Sequence, residues 1–133
     1  MPDMSFPKGT RTPAEPIRFE VHSKHNVPIV DLHGQLDAFA GDALDAAYKE
    51  ARCEESHAIL INFSKVEYFN STGIALIIGL IMQAAKTDCR LLGYGLSKHY
   101  QKIFQMTRLS DYISLYQDEA TALASVQSEG FQI

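Results

Sequence analysis

Five residues, FNSTG from Phe69 to Gly73, set a carboxamide, two hydroxyls and a glycine directly ahead of the apolar run IALIIGLIM. Residues of these types at this spacing support two kinds of chemistry. Asn, Ser and Thr cap helices: a side-chain oxygen accepts from the free N–H groups of the first turn, for about 1 kcal/mol. A hydroxyl in that place is also suited to accept a phosphate, because a helix N-terminus carries unpaired donors and the positive end of the dipole. A third chemistry, nucleophilic catalysis by Ser71, would need a base. His33 and His99 are the candidates, but no Gly-x-Ser-x-Gly elbow is present and no triad is evident. Spacing alone leaves capping and switching both open.

Other reactive groups offer less. His22 and His25 flank a turn without a Cys or carboxylate at ligand spacing, which reads as surface histidines rather than a metal site. Gly93-Tyr94-Gly95 precedes a helix but lacks the third glycine and the Lys-Ser/Thr of a phosphate loop. No cofactor or metal is expected. Cys53 and Cys89 stand far apart without metal spacing and are expected as free thiols in a reducing cytosol.

The elements that must position FNSTG follow from periodicity. IRFEVH (Ile17 to His22) alternates apolar and polar residues, a half-buried strand; after the turn SKHN, VPIVDLHG forms a second, antiparallel strand. In DAFAGDALDAAYKEAR, apolar residues recur at Ala40, Ala43, Leu44, Ala47, Tyr48 and Ala51, one face of a helix. HAILINF has the unbroken apolar run of a central strand covered on both sides. The spacing predicts a second helix over Gly73 to Thr87. RLLGYG is then a short buried strand, Ser97 caps a helix through KHYQKIFQM, YISLY is the last strand, and Asp118 caps a closing helix. The order β-β-α-β-α-β-α-β-α predicts an α/β fold: a mixed, mostly parallel sheet with an antiparallel N-terminal edge hairpin and helices packed around it.

The second helix is too apolar for an ordinary surface helix. With Ile74, Ile77, Ile78, Ile81 and Ala85 against the sheet, Leu76 and Leu80 fall on the outside beside Ala75 and Gly79. An apolar outer face of that kind marks a contact surface, and a hydroxyl at its mouth is well placed to control the contact.

Length and composition bound the rest. The 133 residues suffice for one domain with its own core. Residues 1–16, with four prolines and few large apolar groups, read as a flexible tail, and residues 17–133 as the domain. Net charge is −4, spread along the chain, so no nucleic-acid surface is expected. No signal peptide is visible, and Ile74 to Met82 is far short of the ~20 apolar residues of a membrane span. The expectation is a soluble, cytoplasmic protein.

Three segments together resemble the STAS-domain proteins, specifically the single-domain anti-sigma-factor antagonists of bacteria. GQLD (Gly34 to Asp37) is similar to the family's Gly-x-Leu-Asp element. ILINFSKVEYFNSTGIALI (Ile59 to Ile77) resembles its core strand, hydrophobic turn and Asp-Ser-Ser/Thr-Gly switch motif. LSKHYQKIFQMTRLSDYISLY (Leu96 to Tyr116) is similar to its third helix, with aliphatic-Phe-x-Met-x-x-Leu, and the strand after it. The likeness runs from about Ile17 to Val126.

The resemblance implies a regulatory protein that is not an enzyme. Its partner would be an anti-sigma factor that is itself a serine kinase. That kinase would phosphorylate Ser71, the unphosphorylated form would bind it and free the sigma factor, and a phosphatase would reset the cycle. The implied partner-binding residues are Asp37, Asn70, Ser71, Thr72, Gly73, Leu76 and Leu80. ATP and Mg²⁺ would be held by the partner. Asn70 stands where the motif usually has an acidic residue; it keeps the capping ability and removes a carboxylate beside Ser71. The alternative is a non-phosphorylated STAS scaffold or dimerisation module of a bacterial signalling complex, with a homodimer as one form it could take.

Overall fold

The computed structural model describes residues 17–51 and 57–130, with side chains through residue 127. The expected tail, residues 1–16, lies outside the described residues, as does Cys53. Strand β1 (Arg18–Lys24) turns into β2 (Val27–Leu36) through His25 and Asn26, both at positive φ, the two-residue hairpin turn whose twist matches paired strands. Helix α1 (Gly41–Ala51), β3 (Ala58–Phe69), α2 (Ser71–Lys86), β4 (Arg90–Tyr94) and α3 (Lys98–Met106) alternate. A 3₁₀ turn (Leu109–Asp111), β5 (Ser114–Tyr116) and α4 (Glu119–Gly130) complete the chain. The strands lie in the order β1-β2-β3-β4-β5, with β1 antiparallel to β2 and every other pair parallel. This is the mixed sheet that the element order predicts.

Both sheet faces are covered, which explains the unbroken apolar run of β3. Ile59, Ile61 and Phe63 pack with Leu44 and Ala47 of α1, Ile77 and Leu80 of α2 and Phe104 of α3. Ala58 and Leu60 point the other way and pack with Val27, Leu92 and, from α4, Ala122 and Val126. Helix α4 is pinned at its start. Asp118 Oδ1 accepts the Thr121 amide at 2.9 Å, Lys24 pairs with Glu119, and Tyr94 donates to Glu119 Oε1 at 3.0 Å. The hydrogen bond from Lys24 holds the Glu119 carboxyl below the usual carboxylate range. Burial, then the bond to Glu119, pushes the Tyr94 phenol up.

Three expectations about element ends and cysteine state are corrected by the structure. Helix α1 starts at Gly41 rather than Asp37, because the Asp37 side chain is spent on a turn with Phe39. β3 runs on to Phe69, because β2 keeps pairing with it as far as Leu36↔Phe69. Cys89 is buried and disulfide-bonded rather than a free thiol. His22 is exposed, in keeping with a surface histidine; its Nε2 lies 2.9 Å from Asp31 Oδ2, and Asp31 Oδ1 accepts from Asn62 Nδ2 at 2.8 Å. The hairpin brings the first pair together and the β2–β3 register the second, so neither shows as a local motif.

Candidate functional site

Asn70 carries the capping job. Its backbone is extended (φ −109, ψ −178), its Oδ1 accepts the Gly73 amide at 2.8 Å, and its carbonyl accepts the Ile74 amide at 3.0 Å. Its own N–H donates to the Leu36 carbonyl at 3.1 Å, which ties the start of α2 to the end of β2. Gly73 makes that closeness feasible, since a Cβ there would lie 1.9 Å from the Leu36 oxygen. From the other side, the Phe69 N–H donates to Tyr100 Oη at 3.1 Å while the two rings pack 4.7 Å apart. The entrance to α2 is therefore braced from β2 and from α3 at once.

Ser71 and Thr72 occupy the first turn of α2, and both are exposed. With the cap supplied by Asn70, the Ser71 hydroxyl makes no hydrogen bond to a described residue. Neither His33 nor His99 engages it as a base. The hydroxyl stands free at the positive end of a helix of 16 residues, where a phosphate meets donors rather than carboxylates of its own turn.

Asp37 belongs to the same neighbourhood through Leu36. Half-buried, it takes the Phe39 amide on Oδ1 at 2.9 Å and the Ala40 amide on its carbonyl at 3.1 Å. The segment meets α2 again at Gly41, where the position of a Cβ is 3.7 Å from Leu76 Cδ2. Leu76 is accordingly half-buried, at the rim.

Leu80 does not belong to the outer face; it is buried, 6% exposed. The inward set is Gly73, Ile77, Leu80, Ile81 and Ala84, spaced four, three, one and three residues apart down one stripe. Contact of Gly73 with Leu36 fixes this phase, which an evenly apolar sequence cannot reveal. The expected apolar outer face is present but is built from Ala75, Ile78, Gly79 and Met82, with Ile78 40% and Met82 61% exposed. It slopes into an apolar groove of about 340 Å³ floored by Ile81 and Leu109 and edged by Arg108 and Tyr112. A further exposed aromatic, Phe39, is not singled out by the sequence, where it lies within the segment DAFAGDALDAAYKEAR but outside its apolar repeat.

A family model described as STAS domain matches residues 18–122. The chain belongs to the STAS-domain family. Over 82 residues this STAS protein is 29% identical to the anti-sigma-B factor antagonist of Staphylococcus epidermidis, covering 62% of this chain and 76% of that one. An anti-sigma factor antagonist from Mycobacterium paratuberculosis superposes with a TM-score of 0.73 at 21% identity, covering 89% of this chain and 99% of that one. The Bacillus cell fate determinant SpoIIAA in its phosphorylated form gives a TM-score of 0.59 at 21% identity, covering 81% and 98%. At these identities the structural likenesses establish the STAS fold. Among the described residues no helix is long and apolar enough to cross a membrane.

Proposed function

We propose that this STAS protein is an anti-sigma-factor antagonist, bound through the α2 entrance to an anti-sigma factor that is itself a serine kinase, and switched by phosphorylation of Ser71. A phosphatase returns the chain to its binding form, and neither nucleic acid nor membrane takes part directly. The observation that carries this reading is the division of labour at the entrance. Asn70 caps α2, so the exposed Ser71 hydroxyl has no structural duty and is available to a kinase. The names of the relatives support the antagonist role, and the solved phosphorylated neighbour indicates that this fold tolerates a phosphate.

Phosphate adds about −1.5 to −2 charge at pH 7 and three acceptor oxygens. Within the chain that charge falls on the donor-rich end of α2, and the neutral Asn70 adds no repulsion. Within an interface fitted to a neutral serine the same charge is costly: one like-charge contact at about 4 Å costs roughly 4 kcal/mol at an effective dielectric near 20. Half of that changes affinity about thirty-fold. The partner is released without refolding.

Incubation of the purified chain with ATP, Mg²⁺ and each anti-sigma-factor kinase of the source organism tests the modification, read by intact mass and peptide mapping. The expected result is one phosphate on Ser71, absent from Ser71→Ala. The exposed strip Ala75, Ile78, Gly79 and Met82 favours a second reading, a scaffold or homodimer contact that ignores phosphorylation. Failure of every kinase to modify a chain that still self-associates selects that reading.

A further inference from the structure

Phe39 is exposed over 80% of its surface, yet it is not on a loose loop. The turn beneath it is held by two bonds from one residue, Phe39 N–H to Asp37 Oδ1 at 2.9 Å and Ala40 N–H to the Asp37 carbonyl at 3.1 Å. Segment 36–41 is fixed to α2 at both ends, through Leu36 against Asn70 and Gly73 and through Gly41 against Leu76. Phe39 therefore stands between two anchor points on the first turns of the helix that carries Ser71. A phenyl ring left in water forfeits a large apolar burial, and a backbone already ordered loses little entropy on docking. Exposed aromatics held in this way are the side chains that dominate protein interfaces.

We propose that Phe39 is the apolar anchor of the anti-sigma-factor contact and that Asp37 is its positioning residue, acting by holding the turn rather than by touching the partner. The proposal rests on the function inferred above and adds a second determinant to it. Ser71 decides whether docking is permitted, and Phe39 supplies affinity. The partner meets Phe39 with an apolar pocket. Because Asp37, Asp42 and Asp45 occur between Gln35 and Tyr48 without a Lys or Arg, the rim of that pocket is basic rather than acidic.

The test uses the full unphosphorylated chain and titrates it by calorimetry against each purified anti-sigma-factor kinase of the source organism. Phe39→Ala is expected to weaken binding by about thirty-fold or more, with unfolding unchanged because the ring is outside the core. Asp37→Ala is expected to weaken binding about ten-fold, whereas Asp37→Asn, whose Oδ1 accepts the same amide, stays within about three-fold of wild type. Amide exchange at Phe39 should speed up in Asp37→Ala and not in Asp37→Asn. A wild-type chain that binds a kinase while Phe39→Ala binds it equally overturns the anchor and leaves the Ser71 switch standing. Asp37→Asn as weak as Asp37→Ala overturns the positioning role, since the charge itself would then be read. A wild-type chain that binds none of the kinases overturns the proposed function and this inference with it.

Discussion

Changing either of two glycines in α2 to alanine should have opposite effects, because one glycine is a steric necessity and the other is not. At Gly73 a Cβ would sit 1.9 Å from the Leu36 oxygen and 2.4 Å from its carbonyl carbon. Relief requires the start of α2 to retreat from β2 by more than an ångström, which breaks the 3.1 Å bond from Asn70 to Leu36. Overpacking of this kind costs about 1–3 kcal/mol, and a lost hydrogen bond adds about 1 kcal/mol. The better helix propensity of alanine returns at most about 1 kcal/mol. Gly73→Ala should therefore destabilise by about 1–3 kcal/mol, a large share of the ~5–15 kcal/mol that holds a domain. Gly79 has nothing within 4 Å of a Cβ and is exposed, so Gly79→Ala should stabilise by about 0.5–1 kcal/mol. Urea unfolding at constant m-value measures both. A Gly73→Ala chain as stable as wild type would refute the claim that this contact sets the phase of α2.

Two further perturbations probe the braces and the docking of α4. Tyr100→Phe removes the acceptor of the Phe69 amide and should cost about 1–2 kcal/mol, with faster exchange at the Phe69 amide; unchanged exchange would mean that α3 does not brace the entrance to α2. Glu119 has its folded pKa lowered, chiefly by the Lys24 hydrogen bond, so its contribution is full above the ordinary value of about 4.3 and is lost as pH falls through the folded value. Thermal unfolding from pH 7 to 3 should therefore drop more steeply for wild type than for Glu119→Gln, and parallel curves would contradict this.

Much of this architecture was legible because local pattern and global fold agree. The hairpin, the strand–helix alternation, the caps at Ser97 and Asp118, and the position of FNSTG at a strand-to-helix junction all follow from neighbours in sequence. What escaped depends on partners distant along the chain. In a helix rich in Ile and Leu, hydrophobicity cannot choose a face; the Leu36 carbonyl against Gly73 does, and it turned Leu80 inward and Ile78 outward. Phe39 lies in the segment expected to be helical, but its amide bonds the Asp37 carboxylate in a turn and the helix starts only at Gly41. The Phe69–Tyr100 bond joins residues 31 apart, and no periodicity announces it. That Asn70 rather than Ser71 supplies the cap is likewise undecided by spacing, because either oxygen suits a cap.

The most direct test of the switch is the affinity of one purified anti-sigma-factor kinase for the chain before and after stoichiometric phosphorylation at Ser71, with Ser71→Ala as control. The account predicts that phosphate weakens binding by about thirty-fold or more while Ser71→Ala binds like the unmodified chain and does not respond to ATP. Equal affinity for the phosphorylated and unmodified chains would contradict it.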